Sequence, residues 1–454
     1  MNTRLVVGLL ASLGSLGLQE SAQAPAFTYR HVMIPVRDGV KLETVILTPT
    51  NTRAPLPILL RRTPYGVPSN ASGMGSAALK DLVHDGYIFV VQNLRGRFQS
   101  EGTFELSSKV DLRDPRATSE TTDAYDSIEW LVKNVPGNNG KVGIYGVSYD
   151  GLTAALTLLH PHPALKAISE QASPADQWMN DDDHRYGALR ESYAFEYAVY
   201  EQADKHANTH FAFETYDTYS WFLNLGPLSN INARYLHESI PYWNAIVAHP
   251  DYDAFWKDEA WVTQLHGAPV PNLNVAGFWD QEDPWGPWEI YRRSELSDPN
   301  HVNYVVGGPW FHGQWHQAHA ESIGQIGFGG HDTAAEFRSA IEAPWFRYWL
   351  HGEGGKFPWK ASTFQTGANA WRTYAVWPPP STPTKLYFHA DGVLSFDAPA
   401  AADGVVQYVS DPANPVPYRM RPISPTYPEG DWRRWEVADQ RFVEHRPDVA
   451  TWVS

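Results

Sequence analysis

A serine followed far downstream by an acid and then a histidine can carry out nucleophilic acyl transfer, if folding brings the three together. This sequence holds such a set. Ser148 stands in Gly146-Val147-Ser148-Tyr149-Asp150-Gly151, after a run that reads as a short buried strand (Val142, Ile144). A helix is expected from Gly151 to Leu159, with Pro161 as its stop. The turn between them reads as the G-x-S-x-G nucleophile elbow, in which small residues around the serine permit a tight turn and the hydroxyl is held out above a helix N-terminus. Asp280 follows the apolar run of NLNVAGFWD, and His312 follows that of VNYVVGGPW. With these types, His312 would take the Ser148 proton as Oγ attacks a carbonyl, while Asp280 would hold the imidazole tautomer and stabilise the imidazolium. His312, His316 and His319 could instead suggest a metal site. No H-E-x-x-H or carboxylate–histidine pattern accompanies them, so no metal and no cofactor is expected.

The elements that must position these groups alternate between strand and helix. FTYRHVMIPVRDGVKLETVILTP reads as a hairpin turning at Arg37-Asp38-Gly39. LPILLRRTPYG and YIFVVQNLRGR are buried-strand runs, and TTDAYDSIEWLVKN sets Ala124, Ile128, Leu131 and Val132 on one helical face. Such alternation argues for an α/β fold with a mostly parallel sheet covered on both faces. Acidic and histidine loops at strand C-termini lie where such a sheet keeps its site, and the order Ser, Asp, His is that of the α/β-hydrolases. Residues 171–264, rich in Tyr, Trp and His, read as an inserted helical cap between two parts of the hydrolase domain, 27–170 and 265–384. In the second part, TAAEFRSAIEAPWFRYWLHGEGG reads as a helix with a kink at Pro344 and an end near Gly352. The proline run WPPPSTP marks a boundary, beyond which 385–454 alternate like antiparallel strands with a turn at Asp391-Gly392.

With 43% hydrophobic and 19% charged residues, the composition is that of a folded protein. The net charge of −16 (35 basic minus 51 acidic residues) argues against nucleic acid as a partner. The chain has no cysteine, which excludes disulfides, thiolate nucleophiles and Cys-ligated zinc. Arg4, the apolar run Leu5 to Leu18 and the small residues after it read as a signal peptide over 1–26. That implies a periplasmic or secreted protein with no membrane attachment after processing. Assembly of identical chains stays open.

RDGVKLET, RTPYG, RGRFQSEG, DSIEWLVKNVPGNNGKVGIYGVSYDG, WMNDDD, FWDQEDPWG and GGPWFH together resemble the α-amino acid ester hydrolases, relatives of cocaine esterase and the X-Pro dipeptidyl-peptidases. The resemblance runs from about residue 28 to the C-terminus. It implies a hydrolase domain, a helical cap and a C-terminal jelly roll, of which the chain would hold only the first strands. The family's triad falls on Ser148, Asp280 and His312. Its oxyanion hole falls on the backbone N–H of Tyr149 and the phenol of Tyr65. Its carboxylate cluster for a substrate α-ammonium falls on Asp182, Glu282 and Asp283. A buried cation needs opposite charge, and clustered carboxylates need a cation; a solvated acidic loop or a Ca²⁺ site are the alternatives. The chain departs from the family in GVSYDG, where GSSYEG is common, and in Asp183-His184, where an aromatic pair is expected. The activity implied is a serine hydrolase of esters and amides of α-amino acids, including α-amino β-lactams, acting on a small-molecule substrate through an acyl-enzyme that water or an amine resolves. The rivals are an acylase, esterase or X-Pro dipeptidyl-peptidase without a strict amino requirement, and a non-catalytic binding protein on the same fold.

Overall fold

Ten strands form one sheet in the computed structural model, which describes residues 26–454 except 53, 107–109, 111, 113–116, 401–403 and 429. The expected signal peptide therefore lies outside the described residues, apart from Ala26. The strands are β1 (Phe27–Pro35), β2 (Lys41–Pro49), β3 (Leu56–Thr63), β4 (Ile88–Asn93), β5 (Asn138–Val147), β6 (Leu165–Gln171), β7 (Asn272–Gly277), β8 (Asn303–Gly308), β9 (Ala361–Gln365) and β10 (Ala370–Tyr374). Their order is β1-β2-β4-β3-β5-β6-β7-β8-β9-β10. Strands β3 to β9 run parallel, and antiparallel pairs close both edges. The β1–β2 hairpin turns at Gly39, whose φ of 86° suits glycine.

Alternation along each strand divides the core. Ile58 and Leu60, Ile88 and Val90, and Val142 and Ile144 enter one apolar cluster. Their neighbours Leu59, Phe89 and Tyr145 enter the other, on the opposite face of the sheet. Helix α1 (Glu120–Asn134) buries Ala124, lays Ile128 and Leu131 on the first cluster and starts with a capping box: Thr122 N donates to Ser119 Oγ and Ser119 N to Thr122 Oγ1. The elbow helix α2 (Tyr149–Leu156) is buried throughout.

Between β6 and β7 the chain is mainly helical: α3 (Glu191–Gln202), α4 (Thr218–Leu225), α5 (Pro241–Ala248) and α6 (Ala254–Glu259). Their Phe195, Trp221, Trp243 and Trp256 join the first cluster, so cap and sheet share one core. Helix α7 (Gly286–Ser294) links β7 to β8. Residues 333–351 form a helical stretch with two π-helical turns, Arg338–Glu342 and Arg347–His351, one on either side of the turn that holds Pro344, and it ends at left-handed Gly352. Among the described residues no helix is long and apolar enough to cross a membrane.

The C-terminal stretch differs from the sandwich strands expected over 385–454. The Asp391-Gly392 turn does join two strands, but these are only Tyr387–Phe388 and Leu394–Ser395, with one further bridge from Val393 to Val453. Val405, Val406, Tyr408 and Val409, read as a strand, stay exposed and outside any ladder. A sandwich strand is stable only when a facing sheet covers its apolar side, and among the described residues nothing does. The later part of this stretch instead lies along the cap. Ile423 accepts from Thr218 N (2.8 Å), and Glu196 accepts from the main-chain N–H groups of Thr426 (3.0 Å) and Tyr427 (3.1 Å).

Candidate active site

Ser148 is the residue between β5 and α2, with φ 66° and ψ −130°. A non-glycine side chain at positive φ is strained and marks an over-determined turn. Glycines make the turn possible. A Cβ at Gly146 would stand 2.4 Å from the Asp150 backbone, and one at Gly151 would stand 2.5 Å from the Gln171 carbonyl oxygen. The spacing corrects the elbow pattern: the second glycine follows Ser148 by three residues, and Asp150 holds the position that G-x-S-x-G gives to glycine. Asp150 fits because its side chain faces Arg61, 3.6 Å away, while the close approach to the neighbouring strand falls on Gly151.

The turn after β7 holds Asp280, buried, and the turn after β8 holds His312. His312 Nδ1 lies 2.9 and 3.0 Å from the two Asp280 oxygens. Asp280 Oδ1 also accepts the main-chain N–H groups of Glu282 and Asp283, each at 2.9 Å. Burial alone would raise the Asp280 carboxyl, but His312 and these N–H donors hold it below the usual range. Gln281 Oε1 accepts from His312 N (3.1 Å), and Arg338 braces the following loop through the carbonyls of Trp315, Gln317 and Ala318. His312 Nε2 is buried without a hydrogen-bond partner; Glu282 Oε2 lies 3.4 Å away. The Tyr65 phenol lies beside Ser148. His316 and His319 turn elsewhere, to Glu342 and Asp332.

Tyr149 opens α2, and the N–H groups of a first helical turn have no carbonyl within the helix to bond. Tyr65, on the loop after β3, brings its phenol to Ser148 and to Tyr197 Oη, 3.1 Å away. Burial, with Glu201 and Asp150 nearby, pushes that phenol well above the usual range, so Tyr65 keeps its proton and can donate it.

The structure also brings together Asp182, Glu282 and Asp283, all buried. Tyr193 Oη bridges two of them, 2.6 Å from Asp182 Oδ1 and 3.0 Å from Glu282 Oε2. Neither Asp283 oxygen has a hydrogen-bond partner. Burial, then the carboxylates of Asp182, Asp181, Asp280 and Glu282, push Asp283 far up. Burial opposes protonation of His312, but Asp280 and Glu282 outweigh it and raise the imidazole to about 9. Asp181 is structural, accepting from Ala175, Asp176 and Gly286 N–H groups, and Asp183 accepts from Tyr242 Oη (2.5 Å). Arg190 clamps the two acidic turns together. Its guanidinium donates to the carbonyls of Asp181 (3.1 Å), Asp182 (2.9 Å) and Glu282 (3.0 Å), and also to that of Gln281.

A strained serine at a strand-to-helix turn, an Asp–His pair after β7 and β8 and a sheet in this order define a hydrolase architecture. The model of the X-Pro dipeptidyl-peptidase (S15) family matches residues 38–314. The chain belongs to this family. It is therefore a serine hydrolase of the esterase and peptidase kind, and its resemblance to the α-amino acid ester hydrolases and cocaine esterase holds. An aminopeptidase structure from a marine sediment Thaumarchaeota archaeon is 37% identical, covers 98% of this chain and 74% of its own, and has a TM-score of 0.89. An α-amino acid ester hydrolase structure is 36% identical, with a TM-score of 0.86 over 98% of this chain and 75% of that one. The cocaine esterase of Rhodococcus sp. (strain MB1 Bresler) is 27% identical over 92% of this chain and 73% of its own length.

Sequence reasoning missed the S15 member's Tyr193, Tyr197 and Arg190. The two tyrosines stand four residues apart on α3, a spacing visible in ESYAFEYAVY. An aromatic pair at that spacing usually marks only a core face.

Proposed function

We propose that this enzyme hydrolyses esters and amides of α-amino acids, binding the substrate's α-ammonium among Asp182, Glu282 and Asp283. The carrying observation is the Asp283 carboxyl group, buried without a hydrogen-bond partner and raised by that burial and then by the repulsion of the acids around it. A substrate cation there would relieve that repulsion and stand beside the Asp280–His312 pair. The names aminopeptidase and α-amino acid ester hydrolase, borne by the two solved neighbours, support the reading.

In this mechanism Ser148 Oγ attacks the acyl carbon and His312 Nε2 takes its proton. Asp280 stabilises the imidazolium, and Tyr149 N–H and the Tyr65 phenol hold the oxyanion. Collapse breaks the ester or amide bond, and His312 hands the proton to the leaving oxygen or nitrogen. Water then attacks the acyl-Ser148, and the serine regains its proton. An amine in place of water gives acyl transfer, the route by which α-amino β-lactams would be made. The match to cocaine esterase supports a second reading, an esterase without an amino requirement. The deciding measurement is kcat/KM for a phenylglycine ester and its des-amino phenylacetate twin. A preference of about 30-fold or more for the amino ester is expected, since a desolvated charge pair is worth about 2 kcal/mol or more. Equal values would give the site to the second reading.

A further inference from the structure

Tyr193 and Tyr197 stand one helical turn apart on α3, and each reaches a different half of the site. Tyr193 lies between Asp182 and Glu282, while Tyr197 lies 3.1 Å from the Tyr65 phenol. Their rings stack, with centroids 5.6 Å apart and planes 7° from parallel, and both side chains are buried. Between two phenols there is room for one proton. If Tyr65 donated to Tyr197, the buried Tyr197 proton would need another acceptor. Glu201, four residues further along α3, is the carboxylate nearby in sequence, and neither of its oxygens has a hydrogen-bond partner. Among the described residues the Tyr197 phenol has Tyr65 as its hydrogen-bond partner. A buried donor left without an acceptor is costly, so the Tyr197 proton belongs on the Tyr65 oxygen. The Tyr65 proton is then directed at Ser148, its other neighbour.

We propose that Tyr197 is a positioning residue for the reaction at Ser148: its O–H donates to Tyr65 Oη, fixes the Tyr65 proton toward the developing oxyanion and polarises that bond. The inference rests on the serine mechanism given under the proposed function, and not on the identity of the substrate.

The test combines Tyr197→Phe, Tyr65→Phe and the double variant. For each, kcat and KM are measured on the phenylglycine and phenylacetate esters, together with the rate at which a fluorophosphonate probe labels Ser148. Tyr197→Phe keeps the ring stack and removes one oxygen. It should lower kcat on both esters, and the labelling rate, about tenfold with little change in KM. In the Tyr65→Phe background the same change should cost nothing further, because the proton it orients is gone. An equal additional loss in that background, a loss confined to KM, or no loss at all would overturn the proposal. Labelling of the folded variants checks the site independently of turnover. Absence of an amino preference in the wild type would sink the substrate reading alone. Full turnover by Ser148→Ala would remove the serine mechanism, and this proposal with it.

Discussion

His312 holds a proton that the reaction needs removed. Held at about 9, it is mostly an imidazolium at neutral pH in the empty site, and only the neutral ring can act as base. An ester with no amino group should therefore show kcat/KM rising with pH through about 9, rather than through the value near 6.5 of a free histidine. An amino ester must also arrive protonated, with an α-amino value of about 7.7 to 8.0. Its profile should be a bell on the alkaline side, rising near that value and falling near the His312 value, because the bound ammonium takes the place of the imidazolium charge. A pH profile of both esters checks this, and an identical profile for the two would refute the ammonium site. Asp182→Asn should lower kcat/KM for the amino ester by roughly 30- to 5,000-fold, the equivalent of about 2–5 kcal/mol, and should spare the des-amino twin. Equal losses would make Asp182 a support of the triad. Ser148, Asp280 and His312 were legible because each follows an apolar run whose strand character the residues declare. Tyr193, Tyr197 and Arg190 were not, since their roles depend on which turns α3 faces, and that is settled by packing between segments distant in sequence.

At the scale of elements, the elbow depends on contacts that only glycine permits. Gly146→Ala would put a methyl group 2.4 Å from the Asp150 backbone, so α2 must shift and Ser148 with it. A displacement of about 1 Å at a reacting centre lowers rates by about 10²-fold, and fluorophosphonate labelling of the variant should slow by at least that much. Labelling at the wild-type rate would mean that the turn tolerates a Cβ. Ser119→Ala removes the capping box of α1 and should lower stability by about 1 kcal/mol in denaturant unfolding, with kcat unchanged. The strands of the sheet could be read from sequence because a parallel strand buried on both faces carries a run of apolar residues, as Ile88 to Val91 of β4 do. Over 385–454 the same alternation accompanies only a short hairpin, Tyr387–Phe388 with Leu394–Ser395. Alternation of apolar and polar residues tells which face could be buried, and not whether a second sheet is there to bury it.

For the molecule as a whole, buried acids set the pH dependence of stability. Burial raises Glu201 to about 8 and Asp181, Asp183 and Glu196 to about 7. The folded protein keeps these protons where the unfolded chain has lost them, so stability falls as pH climbs from about 4 toward these values. His312 has the same sign, its contribution being lost as pH rises through about 9. Asp217, Asp280 and Asp298 are lowered, and their contribution is lost at the acid end instead. The melting temperature should therefore peak near about pH 5 and decline toward pH 9. A melting temperature that climbs across that interval would refute the buried-acid account. One further property follows from the Arg190 clamp between cap and hydrolase parts. The acceptors of its guanidinium there are main-chain carbonyls, so this fastening is blind to the side chains at 182 and 282. Under the proposed ammonium reading, substitutions at 182 and 282 can rewrite what the site accepts while the attachment to the nucleophile's scaffold stays intact, which gives the lineage a way to change diet without rebuilding its catalyst.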